Sequence, residues 1–411
     1  MPDPSAPASH SLVSARRRTL AVLSFGQVLG GVAFGATISL GAVITAEVTG
    51  DDGLSGLATA AVTLGAAVLA MPLAALARRS GRRTALTLGM SLALVGVVLV
   101  VVGTGIRSLP LLLPAFALIG AGQAANQQSR FAATDLATDR TRGRDLSTVV
   151  WATTIGAVLG PNLVGPGEAL GSALGMPELT GPYVFTVVAQ LAGIVLYLVG
   201  LRPDPLTLAR RLQADVAGSA SVSPARDTPA AARYAMLAIA GAHGAMVAVM
   251  AMTPIHLTHH GVELSIIGLT ISLHIAGMYA LAPVFGLLAD RIGRVATILV
   301  GQALLVCALV VAAAAAHSTT GVTVALVLLG VGWSASTVAG SALLTEASAV
   351  GLRTARQGRS DAVMNLVGAS GAVGAGVVLS AIGFDGLALS ALAIVTVVVV
   401  LSPFGRLRAR P

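Results

Sequence analysis

Long apolar blocks separated by short polar clusters run through the whole chain. Blocks such as residues 84–106, 183–201 and 387–401 suit membrane crossing, because a transmembrane helix takes about 20 apolar residues. The pattern predicts twelve such helices, at roughly residues 19–46, 55–77, 84–106, 109–132, 146–165, 183–201, 233–257, 264–288, 295–316, 321–345, 362–382 and 386–404. The expected fold class is therefore an all-α membrane protein with twelve transmembrane helices.

The longest connection divides this pattern into two halves. Residues 202–232 contain four prolines and a Gly-Ser-Ala-Ser-Val-Ser run, which is typical of a linker. The halves also repeat each other, since Gly81-Arg82 after helix two returns as Gly293-Arg294 after helix eight, 212 residues later. We predict two pseudo-symmetric six-helix bundles with a linker and two tails: residues 1–18 (cytoplasmic tail), 19–201 (bundle), 202–232 (cytoplasmic linker), 233–404 (bundle) and 405–411 (cytoplasmic tail).

Charge adds an orientation to the pattern. All 25 basic side chains are arginine, and every one except Arg107 falls in alternate connections, which by the positive-inside rule places both termini in the cytoplasm. The same rule accounts for the net charge of +8, so no nucleic-acid partner is inferred. The absence of lysine and the 48 glycines indicate a GC-rich bacterium, so we expect a multi-pass protein of a bacterial plasma membrane.

The sequence does not indicate an enzyme. No nucleotide-binding loop of the G-x-x-x-x-G-K-[ST] type can exist without lysine, and the single Cys307 excludes an internal disulfide and any Cys-x-x-Cys metal motif. No cofactor is expected. The expected partners are the lipid bilayer and a small solute, and the expected oligomeric state is a monomer.

A charged loop follows helix eight. The segment Gly286-Leu-Leu-Ala-Asp290-Arg291-Ile-Gly293-Arg294 resembles the signature loop of the major facilitator superfamily. The resemblance implies secondary active transport by alternating access, with the substrate near the midplane between the halves. Gly293 would permit the turn, Asp290 would face the start of helix eleven, and the arginines would reach Asp361, closing the cytoplasmic side as a gate. The alternative is that these residues only anchor helix ends.

The first copy of this loop carries Arg78 where the second has Asp290. Asp145, at the start of helix five, is expected to compensate by pairing with Arg78 or Arg82. Arg130 near Asp135, with Glu346 in the equivalent part of helix ten, is a candidate gating or proton-coupling network. Interhelical hydrogen bonding is the equally weighted alternative.

Two soft-ligand pairs lie on consecutive helices. Met246-x-x-x-Met250 in helix seven and His274-x-x-x-Met278 in helix eight each share a helix face, and both fall in the middle of the bilayer. Thioether and imidazole groups suit Cu(I). The pairs resemble those of the CcoA-like copper importers of the superfamily, which implies that Met246, Met250, His274 and Met278 bind copper. His243, on the face of Met246, is a candidate further ligand or proton acceptor.

Other functions remain open at this stage. Some relatives of the CcoA-like group are associated with riboflavin uptake. The segment Gly156-Ala-Val-Leu-Gly160-Pro161-Asn-Leu-Val-Gly165 looks like a motif of superfamily antiporters, which favours proton-coupled efflux of small hydrophobic compounds. Plain packing would also explain the methionines. At the outer end of helix seven, His256, His259 and His260 either capture an arriving metal ion or belong to a solvated loop.

Overall fold

The computed structural model describes residues 6–51, 54, 56–219 and 227–406. The chain divides into two compact units, Met1–Ala225 and Arg226–Pro411, and the division falls inside the predicted linker. Within the described ranges the regular structure is helical with no strand, which confirms the all-α prediction. Helices dominate because a helix satisfies its own backbone hydrogen bonds where no water is available.

The first unit contains eight helices among its described residues. They are α1 (Ala6–Thr49), α2 (Leu57–Ser80), α3 (Arg82–Gly105), α4 (Leu109–Ala132), α5 (Arg142–Asn162), α6 (Val164–Ala173), α7 (Tyr183–Gly200) and α8 (Pro205–Ser219). The two short helices α5 and α6 are bent by 54° relative to each other and together contain predicted helix five. Helix α8 lies in the predicted linker.

The second unit contains six helices in its described part. They are α9 (Pro229–His259), α10 (Leu264–Tyr279), α11 (Ala282–Ile292), α12 (Arg294–Ala314), α13 (Thr319–Ala347) and α14 (Val350–Val400), followed by a 3-10 turn (Ser402–Gly405). Predicted helix eight is divided into α10 and α11. Predicted helices eleven and twelve are both contained in α14, which is interrupted at Gly383 by a φ of 75°.

Every predicted span therefore falls on a helix. By length and composition alone, nine helices of the described chain could cross a membrane, or ten if α5 and α6 form one broken span. Counting the two sides of α14 as separate spans adds one more, and predicted helix one lies on α1, which that number does not include. The twelve-helix architecture in two six-helix halves accounts for the whole pattern.

Small residues bring α10 and α13 into backbone contact. A Cβ built on Gly330 of α13 would lie 2.5 Å from the carbonyl oxygen of His274, and one on Gly277 of α10 would lie 2.8 Å from the carbonyl oxygen of Val327. Membrane helices associate through such close packing, since lipid offers no hydrophobic driving force between them. This contact fixes the position of His274 against α13.

The two units begin corresponding helices at the same kind of turn. Gly81 precedes α3 with a φ of 90°, and Gly293 precedes α12 with a φ of 98°. With ψ near 160° this backbone region is almost exclusive to glycine. The Gly-Arg repeat in the sequence is therefore a repeat of backbone geometry.

Candidate functional site

Helix α13 carries the contacts of both helices that bear the predicted copper ligands. Helix α10 packs mainly on α13 and makes few contacts with α9. Helix α9 meets α13 through the indole of Trp333, whose Nε1 donates a hydrogen bond to Nδ1 of His243 at 3.1 Å. The ligand pairs of α9 and α10 are thus organised around a third helix that the spacing argument did not include.

His274 is completely buried, with 0% of its surface exposed. Its Nδ1 lies 2.7 Å from the carbonyl oxygen of Leu326 on α13. A carbonyl only accepts, so Nδ1 carries the proton and the lone pair resides on Nε2. Within the described chain, Nε2 has no hydrogen-bond partner. The imidazole is therefore held in one orientation with an unused, unprotonated nitrogen in an apolar interior.

The three methionines lie around the same apolar cluster. Met246 (2% exposed) and Met278 are buried members of it, and Met250 packs against it as a partly buried side chain. Leu326, whose carbonyl holds His274, belongs to the same cluster. The structure thus places all four predicted ligands in or next to one region of the second unit.

The donor set in this region is soft. Among the described residues, no group of three or more His, Cys, Asp or Glu side chains could hold a metal ion. An ion bound here would consequently depend on thioether sulfur together with a single imidazole. Such a donor set suits Cu(I) and does not suit hard cations such as Mg²⁺ or Ca²⁺.

His243 already uses one of its ring nitrogens. Because Trp333 can only donate, Nδ1 of His243 must accept, and the proton of the neutral ring is on Nε2. A Cβ on Gly368 would lie 2.8 Å from Nε2, so this glycine makes room for the ring. Trp333 also meets Tyr279 edge-on, with ring centroids 5.8 Å apart. Trp333 therefore connects α9 with the end of α10, a role that the sequence analysis did not assign.

The histidines at the C-terminal end of α9 have three different surroundings. His256 is buried and bonds through Nε2 to the carbonyl oxygen of Ala316 at 2.7 Å, and its ring stacks on Phe384. His259 is exposed. His260 faces His317, which lies between α12 and α13, with 3.3 Å between Nε2 and Nδ1. His317 was missed because it is 57 residues away, although both segments lie in connections of the same side.

The signature loop of the second unit forms a charge cluster. Arg294 pairs with Asp290 at 2.6 Å and with Glu346 at 3.3 Å, and it also donates to the carbonyl oxygen of Ala289. Arg291 is exposed, and Asp361 is fully buried on α14. Glu346, predicted for a coupling network, therefore belongs to the signature-loop cluster.

The first unit has a matching pair that differs from the predicted ones. Asp135 accepts from Nε of Arg82 at 2.8 Å and from Nη2 at 3.1 Å, with both side chains 1% exposed. The partner of Asp135 is Arg82 rather than Arg130, because the turn at Gly81 directs Arg82 towards the end of α4. Arg130 is buried, with its guanidinium 4.9 Å from the centre of the Phe131 ring.

Asp145 was expected to pair with Arg78 or Arg82, and its strong partner is Arg16 of α1. Nε and Nη2 of Arg16 each lie 2.7 Å from a carboxylate oxygen of Asp145. Arg78 is exposed, and its carbonyl accepts from Nη1 of Arg210 on α8 at 2.7 Å. The predicted pairing of Asp145 is wrong. Its partner Arg16 is 129 residues earlier in the sequence, and sequence spacing does not show that the two side chains meet.

Two aspartates near the ends of the predicted linker accept hydrogen bonds from neighbouring segments. Asp204 caps α8 and also accepts from the backbone N–H of Arg83 at 2.7 Å. Asp227 accepts from Nη1 and Nη2 of Arg356 at 2.5 and 2.8 Å, and from the N–H of Ala349 at 3.1 Å. The hydrogen bonds from Arg356 lower the pKa of Asp227 below its ordinary value.

A small crevice in the first unit is lined by amides. Gln123 and Asn126 of α4 and Gln190 of α7 reach it, together with Gly30 of α1 and Gly122. Gln190 is buried, and its Oε1 and the Oδ1 of Asn126 have no hydrogen-bond partner in the described structure. The crevice offers polar acceptors within one bundle.

Comparison with known proteins places this geometry in a family. The model of the Major Facilitator Superfamily matches residues 22–263 and 235–411. The chain belongs to the Major Facilitator Superfamily and is a membrane transporter, not an enzyme. It is 36% identical over 405 residues to the uncharacterised MFS-type transporter YddS of Bacillus subtilis (strain 168), covering 96% of this chain and 92% of that protein.

Two further similarities concern a named substrate and the fold. The chain is 27% identical over 393 residues to the riboflavin transporter RfnT of Brucella anthropi, covering 94% of this chain and 95% of that protein. The human organic anion transporter MFSD10 matches it with a TM-score of 0.77 at 17% identity, covering 94% of this chain and 99% of that chain. The latter likeness supports the fold alone.

Proposed function

We propose that this transporter imports copper, as Cu(I), through the thioether and imidazole groups of its second unit. The proposed ligands are Met246, Met250, His274 and Met278. The observation that carries the proposal is the buried His274, whose Nε2 is unprotonated and without a partner beside an apolar cluster that contains methionine sulfur.

The chemistry of His274 favours a metal over plain packing. A buried polar atom without a partner costs about 1–3 kcal/mol, so an imidazole with no function would be an expensive core residue. Ligating histidines commonly donate their other nitrogen to a backbone carbonyl, which fixes the tautomer and the ring orientation. The hydrogen bond from Nδ1 to Leu326 has this form. Methionine supplies ligands that Cu(I) accepts and hard ions do not.

The remaining candidate residues take supporting roles in this proposal. His243 is retained as a further ligand or as a proton acceptor, and either role requires its Nδ1 to give up the hydrogen bond from Trp333. The gate consists of Asp290, Arg291, Gly293, Arg294 and Asp361, with Glu346 added. Arg130 and Asp135 are retained as candidates for coupling, with Arg82 as the partner of Asp135.

The transport cycle is proposed to be secondary active and to work by alternating access. We place the protein as a monomer in a bacterial plasma membrane with both termini in the cytoplasm, on the distribution of its arginines. In that orientation His260 and His317 lie on the outer side and the signature loop on the inner side.

Copper uptake in cells that lack the protein tests the proposal. Wild type is expected to restore copper accumulation measured by mass spectrometry, and His274→Gln and Met250→Leu should each remove most of it at equal protein level. Met250→Leu keeps volume while removing sulfur. Met71→Leu is the matched control, because Met71 is exposed on α2 of the first unit. Copper accumulation that is unchanged by wild type would refute the proposal.

Uptake of a riboflavin-like organic solute is the second candidate. It is favoured by the 27% identity to the riboflavin transporter and by the amide-lined crevice of the first unit, which offers hydrogen-bond acceptors. Flavin uptake that requires Gln190 but tolerates Met250→Leu would replace the copper proposal by this one. Energy-dependent loss of a hydrophobic dye from the cells would instead favour efflux.

A further inference from the structure

We propose that His260 and His317 form a separate binding site for a transition-metal cation that accepts imidazole nitrogen, of the class of Cu(I) and Zn²⁺. The site lies where the end of α9 meets the turn between α12 and α13, apart from the methionine cluster. It goes beyond the proposed function, since it concerns binding at the end of the unit and does not require copper to be the transported ion.

The distance between the two nitrogens fits a metal. Nε2 of His260 and Nδ1 of His317 are 3.3 Å apart. Two imidazole nitrogens that bind one tetrahedral ion at about 2.0–2.1 Å each are separated by about 3.3–3.4 Å. In the absence of an ion, a hydrogen bond between the rings occupies the same gap. An ion can therefore enter with little movement of either ring.

The tautomer of His260 is already set for coordination. Its Nδ1 lies 2.8 Å from the carbonyl oxygen of His256, so Nδ1 is the protonated nitrogen and Nε2 presents a lone pair to His317. His317 donates from Nδ1 in this arrangement. Because His317 is exposed, its proton can transfer to Nε2 through water when a metal takes Nδ1, with no change in net charge on the ring.

His256 positions both ligands without coordinating. Its Nε2 bonds to the carbonyl of Ala316, the residue before His317, and its own carbonyl holds His260. Its ring stacks on Phe384 of α14, with 4.2 Å between centroids and 10° between planes. One buried imidazole therefore fixes the end of α9 to the turn that carries His317.

The geometry identifies two protein ligands for this site, His260 and His317. This agrees with the finding that no group of three His, Cys, Asp or Glu side chains in the described residues could hold a metal. Water would complete the coordination. Such an open site binds and releases quickly, which suits capture of an ion rather than a structural role.

Metal binding to the purified full-length protein tests the site. The titrations are made in a His274→Ala background, so that the methionine cluster contributes little. Cu(I) and Zn²⁺ are delivered from chromogenic chelators of known affinity. We expect one bound equivalent of at least one of the two ions, and about a 10-fold or greater loss of affinity on His260→Ala or on His317→Gln. His317 is exposed, so this variant should keep its thermal unfolding midpoint.

The variant His259→Ala distinguishes a specific site at His260 and His317 from nonspecific metal binding by any histidine at the end of α9. His259 is exposed and lies about 100° around the helix from His260, so its removal should leave the affinity unchanged. Equal affinity of wild type, His260→Ala and His317→Gln would overturn the proposal, as would an equal loss on His259→Ala. Because the readout is binding, a failure of copper transport leaves this test intact.

Discussion

Arg82 in the first unit and Arg294 in the second occupy equivalent places, 212 residues apart, each directly after a glycine of positive φ. Each pairs with an acid near the end of the helix that follows next, Asp135 or Glu346, and these acids are 211 residues apart. The sequence repeat therefore includes a repeated ion pair. Neither acid belongs to the signature loop, and the pairing appears only in the folded units.

The two pairs differ in burial and in partners. Arg82 and Asp135 are each 1% exposed, whereas Glu346 is 29% exposed and shares Arg294 with Asp290. The first unit has Arg78 at the place of Asp290, and Arg82 pairs with the buried carboxylate of Asp135. An arginine shared between two acids, one of them partly hydrated, can change partners at lower cost than one paired with a buried acid. The turn of the first unit is thus held by a fully buried pair, while that of the second is held by an arginine shared between two acids.

Removing the arginine should damage the first unit more than the second. Arg82→Ala leaves Asp135 charged and buried, which costs about 3–5 kcal/mol. Arg294→Ala leaves Asp290 at 8% and Glu346 at 29% exposure, both more hydrated than Asp135 at 1%, so we expect a smaller loss. Thermal unfolding in detergent measures both, with the exposed Arg79→Ala as control. Equal losses for Arg82→Ala and Arg294→Ala would remove the distinction between the units.

Alanine at the two turn glycines extends the comparison to the backbone. Gly81→Ala and Gly293→Ala each force a side chain into a region almost exclusive to glycine, at about 1–3 kcal/mol. A Cβ on Gly81 would also collide with the Asp204 carboxylate, while one on Gly293 meets nothing within 4 Å. Gly81→Ala should therefore lower the thermal unfolding midpoint more than Gly293→Ala does. The reverse order would contradict the role of Asp204 in holding this turn.

An added carboxylate should make the first unit resemble the second. Arg78→Asp places an acid four residues before Arg82, as Asp290 stands before Arg294. In an Asp135→Asn background it should recover about 1 kcal/mol, measured by a double-mutant cycle on unfolding. Arg79→Asp, on another side of the helix, is the matched control. Equal recovery from both would indicate a general charge effect instead of a specific pair.

The smallest expected effect is the loss, at low pH, of the stability contributed by the ion pair of Asp227 and Arg356. The pKa of Asp227 is lowered in the folded protein, so its stabilising contribution is present above the ordinary pKa of 3.8 and is lost as pH falls through the lowered value. The difference in free energy of unfolding between wild type and Asp227→Asn, about 1 kcal/mol or less, should vanish on acidification. The exposed Glu178→Gln is carried as control. A difference independent of pH would contradict the assignment.

The sequence predicted much of the architecture, because the length of the apolar blocks, the distribution of arginine and the 212-residue repeat can be read without knowing which helices pack together. It also indicated Met246, Met250, His274 and Met278 as candidate ligands, because residues four apart share a helix face, and their role stays a prediction. It could not predict the carbonyl of Leu326 behind His274, the indole of Trp333 on His243, or His317 opposite His260. These depend on which helices pack together. The pairing of Asp145 failed for the same reason, since Arg16 lies 129 residues away.

X-ray absorption at the copper edge tests the central claim that thioether sulfur and one imidazole bind Cu(I) in the second unit. The Cu(I)-loaded protein is measured in a His317→Gln background, which removes the separate histidine site. The account predicts a first shell of sulfur with one nitrogen, loss of the nitrogen in His274→Gln, and a sulfur count lower by one in Met250→Leu. A shell of nitrogen and oxygen alone, unchanged by either variant, would contradict it.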